Sequence, residues 1–215
     1  MRQFHIGLAA ATAIAGALAL TAPGWAQQAD AVYHATLAPM NAAAAGGETT
    51  GEARFEVRGD ELTITIDVQG APAGITHWQH FHGMTEAGVQ ATCAGPDADA
   101  NGDGVVDLIE TGPASGTTMV PFTADPASMD VPGGAYPVAD AEGAYHYSQT
   151  VSLAALSEAF AKAFDGQELA LDSRVLLIHG VAEDAGLPET TQSLGPIPAT
   201  TTLPIACGQI ERVDG

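Results

Sequence analysis

The sequence predicts an all-β domain of the sandwich or barrel type, and three observations support this prediction. Residues 61–68 alternate strictly between apolar and polar side chains, which is the pattern of a strand with one buried and one solvated face. A short turn, Arg58-Gly59-Asp60, separates this strand from a second alternating segment, 53–57. A Val- and Leu-rich run over 174–179 is typical of a buried strand. Antiparallel strands with one solvated face are common in sandwiches and barrels.

The remaining elements are predicted from similar local patterns. Residues 32–37 form a candidate first strand, and residues 77–82 a histidine-rich one. The Gly-, Pro- and Asp-rich stretch 90–150 predicts a long loop, and long loops inside compact domains are usually functional. One short helix is predicted over 152–164, with Ser152 as its cap, and a closing strand over 203–210.

The first 26 residues have the composition of a secretory signal peptide. Arg2 precedes an apolar stretch over 6–20, and Gly24-Trp25-Ala26 is a small-x-small cleavage site. A retained N-terminal anchor is the alternative, although the apolar stretch is short for a membrane span. We therefore expect export, to the periplasm of a Gram-negative bacterium, and a single domain over 27–215.

Charge and cysteine content restrict the classes of partner and the compartment. Six basic residues against 26 acidic ones give a formal net charge of −20, which disfavours nucleic acid and anionic membrane surfaces and repels small anions. The chain has two cysteines, Cys93 and Cys207. In an oxidising compartment two cysteines most simply form a disulfide, and a copper-binding thiol pair is the alternative.

Histidines are concentrated in one short segment, where His77, His80 and His82 fall within six residues. Residues two apart on a strand project from the same face, so His80 and His82 present two imidazoles side by side. Two imidazoles make half of a four-coordinate metal site. The segment therefore predicts metal binding without indicating which metal.

Four motifs occur in a family-like order along the chain. They are His77-x-x-His80-x-His82, Cys93-Ala-Gly-Pro96, the run Arg174 to His179 followed by Glu183, and Ala206-Cys207-Gly-x-Ile210. Together they resemble the Cu,Zn superoxide dismutase family. The resemblance implies a Greek-key β-barrel with long loops, a Cys93–Cys207 disulfide, and copper held by the catalytic residues His80, His82 and His179. It also implies that His77 braces the barrel behind the ligands and that Glu183 takes the acidic position linking the two metal sites.

Three departures from that family bear on activity. The histidine that bridges copper and zinc aligns with Asp97, and no histidine follows Cys93 before His146, so zinc is not expected. The arginine that attracts superoxide aligns with Pro204, which cannot pair with an anion. His146 is the candidate for a fourth copper ligand, and the alternative is a surface or core histidine in a Tyr-rich strand.

Residues 99–110 match the loop pattern D-x-[DN]-x-[DN]-G-x5-E of EF-hand calcium sites. Side-chain oxygens, one main-chain carbonyl and a bidentate glutamate would bind the ion, from Asp99, Asn101, Asp103, Val105, Asp107 and Glu110. Flanking helices are not predicted, so this resembles an isolated calcium loop. An acidic turn that binds nothing is the alternative.

Three functions are compatible with these features. The first is a copper-dependent superoxide dismutase, and the second is a non-enzymatic copper protein for storage, delivery or sensing. The third is a calcium-stabilised interaction module, because the early hairpins and their His-x-His-Gly end also resemble chordin-type CHRD domains. The expected partners are superoxide or metal ions, and the sequence does not determine the oligomeric state.

Overall fold

The computed structural model describes Met1, residues 28–86 and residues 88–213 of the 215-residue chain. The predicted signal peptide lies outside this part except for Met1. The described part contains nine strands: β1 Ala31–Pro39, β2 Thr50–Arg58, β3 Glu61–Gln69, β4 Trp78–Gly83, β5 Thr117–Pro121, β6 Tyr145–Ser152, β7 Val175–His179, β8 Pro204–Gln209 and β9 Glu211–Val213. It also contains four α-helices: α1 Ala42–Ala45, α2 Leu108–Ser115, α3 Leu153–Ala163 and α4 Ala199–Thr202. Three short 3-10 helices cover Pro96–Ala98, Pro126–Ser128 and Leu171–Ser173. Among these residues, no helix combines the length and apolar character needed to cross a membrane.

The strands form one antiparallel sheet in the order β5-β4-β7-β8-β1-β2-β3-β6, with β9 pairing beside β1. Strands β1, β2 and β3 follow one another as neighbours, and so do β4 and β5. The connections from β3 to β4 and from β6 to β7 instead join strands that are not neighbours. Connections of this kind are the mark of Greek-key topology.

The two end strands of the sheet, β5 and β6, are brought together by side chains. The hydroxyl of Tyr147 in β6 donates to the carbonyl of Thr123, just after β5, at 2.8 Å. The hydroxyl of Tyr145 in β6 donates to Oε1 of Gln79 in β4 at 3.3 Å. The sheet therefore curls back on itself, and the predicted all-β Greek-key fold is confirmed.

The concave side of the curled sheet holds the main hydrophobic core. Leu62, Ile64 and Ile66 of β3 are fully buried, as the alternation of residues 61–68 predicts. The ring of Phe81 in β4 lies 5.3 Å from that of Phe55 in β2, centroid to centroid. Burying each such side chain stabilises the fold by roughly 1.5–3 kcal/mol, so β4 is anchored firmly to the interior.

Strand β7 is buried on both faces, which explains its continuous apolar run. Leu176 and Ile178 belong to the main core, whereas Val175 and Leu177 pack with Ala91 and Cys207 on the outer side. The Cys93–Cys207 disulfide lies beside this second cluster, with a Cα–Cα distance of 5.8 Å. The predicted disulfide is confirmed, and it ties the loop after β4 to β8.

The prediction of an uninterrupted loop over 90–150 is wrong, because α2, β5 and most of β6 lie within it. Helix α2 contains Gly112 and Pro113, two residues that normally end a helical pattern. A capping box overrides them: the Asp107 carboxylate accepts the amides of Ile109 and Glu110, and the Glu110 carboxylate accepts the amide of Asp107. The expectation of a single helix, with none beside residues 99–110, is therefore also wrong.

Candidate metal centre

His80, His82 and His179 are brought together by the pairing of β4 with β7. Trp78 lies opposite His179 in this ladder, and His80 lies opposite Leu177. Because Phe81 between them faces the main core, His80 and His82 project from the outer face of the sheet. One ligand atom from each of the three imidazoles lies within 4.8 Å of the others, and no other described group of His, Cys, Asp or Glu does this.

The three imidazoles are buried and uncharged at neutral pH. Their exposed fractions are 3% for His80, 0% for His82 and 2% for His179. Burial, followed by the repulsion that a charged His179 would exert, holds the pKa of His80 and of His82 well below its usual value. Burial also lowers the pKa of His179 to about 4. Each ring therefore keeps one nitrogen lone pair free to bind a metal.

Hydrogen bonds to the outer nitrogens assign the tautomers of two rings. Nδ1 of His179 lies 2.8 Å from the carbonyl oxygen of Thr202, which can only accept, so Nδ1 carries the proton. Nε2 of His80 lies 2.9 Å from the Tyr136 hydroxyl, whose own proton is donated to the Val131 carbonyl. The hydroxyl must then accept from His80, and Nε2 of His80 carries the proton.

The nitrogens left over face one another without partners. Nδ1 of His80, Nδ1 of His82 and Nε2 of His179 are buried and have no hydrogen-bond partner. A buried polar group without a partner costs about 1–3 kcal/mol, so three of them side by side need a physical explanation. A metal ion bound by all three would satisfy them together, and imidazole nitrogens suit copper, zinc, iron and nickel.

His77 lies against the triad from the core side. Its ring is fully buried, with Nδ1 3.1 Å from the carbonyl oxygen of His179 and Nε2 2.9 Å from that of Pro72. The ring also stacks on Tyr145, with 5.7 Å between the centroids. His77 thus lies between the end of β7 and the segment before β4.

Three other predicted residues are not brought to the triad. His146 sits on the outer face of β6, with its side chain 60% exposed, and its Nδ1 lies 2.7 Å from Oδ1 of Asp67. This outward direction follows from alternation, since Tyr145 and Tyr147 on either side are buried. Asp97 lies in the exposed turn Pro96–Ala98, and Glu183 is exposed in the loop after β7. The structure therefore does not supply His146 as a fourth ligand.

Tyr136 and Pro204 complete the surroundings of the triad. Tyr136 is 8% exposed and comes from the connection between β5 and β6. Its local sequence, Gly-Gly-Ala-Tyr-Pro, carries no signal of a role at a metal centre. Pro204 stands opposite His179 in the ladder between β7 and β8, so the position implied for a guiding arginine is uncharged.

The 99–110 loop adopts a compact conformation held by its own carboxylates. The Asp99 carboxylate accepts the amides of Gly102, Asp103 and Gly104, and Gly102 and Gly104 have positive φ. Glu110 reaches back across the loop to the amide of Ala100 at 2.9 Å. The loop is held by its neighbours as well, through bonds from Thr190 to Asp103 and from Gln192 to Asp107.

Comparisons with known proteins return a likeness in structure and none in sequence. The chain is similar to two solved superoxide dismutase-type structures. One is a double mutant of a superoxide dismutase-like protein from Bacillus subtilis, with a TM-score of 0.40 and 17% identity, covering 81% of this chain and 94% of that one. The other is the Cu/Zn superoxide dismutase of Brucella abortus, with a TM-score of 0.39 and 17% identity, covering 84% and 99%. No protein-family model and no curated protein matches the chain.

A cavity of about 350 Å³ reaches the outer edge of the triad. Its lining includes His82, Met84, Thr118, Leu108 and Leu194. Thr118 lies 3.3 Å from Nε2 of His82, so the cavity borders the side of the ring that faces away from the other two histidines. All three imidazoles are nevertheless buried, so the cavity approaches the triad only at the outer side of the His82 ring.

Proposed function

We propose that this is an exported copper-binding protein whose metal is held by His80, His82 and His179. The observation that carries the proposal is the set of three buried ring nitrogens that face one another without partners. Export is supported by the leader-like composition of residues 1–26. A disulfide between Cys93 and Cys207 fits an oxidising compartment.

Copper is favoured over other metals by the chemistry of the donors. The site offers imidazole nitrogens only, since both cysteines are used in the disulfide. For divalent first-row metals, affinity at such sites rises to Cu²⁺ and falls again at Zn²⁺. The motifs that contain His80, His82 and His179 also resemble copper-binding segments. When bound, copper would supply one-electron exchange between Cu(I) and Cu(II), and the surrounding residues would fix the rings and keep out bulk water.

Titration with copper, in competition with zinc, tests this proposal. We expect one Cu²⁺ per chain, with an electron paramagnetic resonance signal of a type-2 site bound by nitrogen. Zinc should displace it only in large excess. His179→Ala should abolish the signal, whereas the matched variant His146→Ala should keep it, because His146 is exposed and paired with Asp67. Absence of copper binding in the unaltered protein, or full binding by His179→Ala, would refute the proposal.

Superoxide dismutation is a second candidate function, supported by the resemblance of the histidine motifs to the superoxide dismutase family. It requires a small anion to reach the metal although all three imidazoles are buried, and the cavity beside His82 lies on the far side of that ring from the partnerless Nδ1. The test compares superoxide turnover by the copper-loaded protein with that of an equal amount of free copper, and His179→Ala serves as the inactive control. If the loaded protein does not exceed free copper, a role in copper storage, delivery or sensing remains.

We also propose that residues 99–110 bind Ca²⁺. The Glu110 carboxylate accepts the amide of Ala100 across the loop, and the Asp99 carboxylate accepts three further backbone amides. These bonds hold several carboxylates together in one compact loop. Calcium should raise the melting temperature relative to a chelator. Glu110→Gln should remove this shift, and the exposed control Glu183→Gln should keep it. Calcium binding without copper binding would favour the CHRD-like interaction module instead.

A further inference from the structure

Tyr136 is placed beside the triad by backbone pairing and not by side-chain packing alone. The segment that follows it runs antiparallel to the segment that leads into β4. The amide of His77 donates to the carbonyl of Pro137 at 2.9 Å, and the amide of Ala139 donates to that of Ile75 at 3.1 Å. The tyrosine is therefore attached to the same stretch of chain that continues into His80.

The ring of Tyr136 is also held from one side by Trp78. The two rings are stacked, with 5.3 Å between centroids and 21° between planes. Trp78 in turn meets the His80 ring edge-on at 6.0 Å. With its ring stacked and its hydroxyl bonded to Val131 at 2.8 Å, the phenol has a single orientation.

In this orientation the hydroxyl oxygen of Tyr136 acts as a hydrogen-bond acceptor toward His80. Since the phenol proton is donated to Val131, the oxygen accepts from Nε2 of His80 at 2.9 Å. Nδ1 of His80 then carries a lone pair toward His82 and His179, where it has no partner. Without the hydroxyl, the Nε2 proton would lose its acceptor, and the preference of His80 for the Nε2-protonated form would weaken.

We propose that Tyr136 is a positioning residue that holds His80 in the Nε2-protonated tautomer, so that the three inward nitrogens are ready to bind a metal. The tautomer itself is a property of the metal-free protein. The consequence for affinity rests on the proposed copper function.

The first experiment uses metal-free protein labelled with ¹⁵N and records the ring nitrogen pattern of His80 by long-range ¹H–¹⁵N spectra. We expect the Nε2-protonated pattern in the unaltered protein and a shift toward the Nδ1-protonated form in Tyr136→Phe. Tyr147→Phe is the matched control, since Tyr147 is equally buried at 8% and its hydroxyl donates to the Thr123 carbonyl and not to a histidine of the triad. An unchanged tautomer in Tyr136→Phe overturns the proposal.

The second experiment measures copper affinity in the same variants. Loss of a group that orients a metal ligand typically weakens affinity by about 10- to 100-fold, so this loss is expected for Tyr136→Phe and not for Tyr147→Phe. Equal losses in both variants would show a general effect on folding and contradict the proposal. If the unaltered protein binds no copper, the copper function fails, while the tautomer measurement still decides the role of Tyr136.

Discussion

The Nδ1 atom of His77 lies 3.1 Å from the carbonyl oxygen of His179, a residue 102 positions further along the chain. Nε2 of the same ring lies 2.9 Å from the carbonyl oxygen of Pro72. A neutral imidazole has a single N–H, so His77 donates to one carbonyl at a time. This ring is the direct link between the segment before β4 and the strand end that carries the third histidine.

Replacing His77 by phenylalanine should separate bonding from packing at this link. Phenylalanine keeps a ring to stack on Tyr145 but removes the N–H that His77 donates to one of the two carbonyls, which costs about 1–3 kcal/mol of unfolding free energy. Urea denaturation measures this loss, and copper affinity should fall with it because His179 is less constrained. The control His34→Phe should change little, since the His34 side chain is 42% exposed on β1. Equal stability of the two variants would contradict the bracing role.

Acid should begin to destabilise the metal-free protein at a pH above the range in which carboxyl groups titrate. Burial holds the pKa of His80 and His82 well below 6.5 and lowers that of His179 to about 4. In the unfolded chain each of these histidines has a pKa of about 6.5. Between these values the unfolded state binds more protons, so the free energy of unfolding falls as pH falls.

The stabilising effect of the neutral triad is thus complete above about pH 6.5 and declines as pH falls toward the lowered pKa values of the folded state, which for His179 is about 4. Urea unfolding at a series of pH values measures it. His179→Ala should show a shallower decline, because one titrating ring is removed. A slope that is the same with and without His179 would argue against the triad as its source.

Any superoxide turnover should become faster as salt is added. The net charge of −20 repels an anion, and Pro204 provides no positive charge beside His179. Added salt screens repulsion between like charges. Turnover by the copper-loaded protein at increasing ionic strength measures this, with free copper in the same buffers as the control. A rate that falls with salt would reveal an attractive, cationic path to the metal.

Removing the disulfide should destabilise the fold strongly and weaken the metal centre. Cys93 and Cys207 close a loop of 114 residues, for which chain entropy gives a loss of roughly 4–5 kcal/mol. Cys207 is paired with Leu177 of β7, two residues before His179. The double variant Cys93→Ser/Cys207→Ser should unfold at lower urea and bind copper less tightly, and the reduced protein should behave alike. An unchanged urea midpoint would contradict this.

Local patterns predicted much of the sheet. The alternation from Leu62 to Val68 gives the buried face of β3, and the turn at Gly59 joins β2 to β3 as expected. The sequence did not predict strand β5 or helix α2, because Gly116, Pro113 and Gly112 interrupt their hydrophobic patterns. The capping box at Asp107 and the ladder to β4 form them in spite of these residues.

The candidate site divides in the same way. The two-residue spacing of His80 and His82 placed them on one face without any tertiary information. His179 lies beside His80 and His82 because β7 pairs with β4. Before the structure, only the motif resemblance indicated that these three histidines come together. Tyr136 was not predicted, since a tyrosine in a Gly- and Pro-rich stretch has no local signal for burial.

The sequence by itself determined which donors are available: a cluster of histidines, two cysteines and an acidic loop on an all-β chain. Only the tertiary structure decided that His146 turns to solvent while His179 joins the centre, and which nitrogen of each ring faces inward. The physical reason is that ring direction and proton position depend on partners such as Thr202, Tyr136 and Asp67. These partners come from distant segments, which only the folded sheet brings into hydrogen-bonding range.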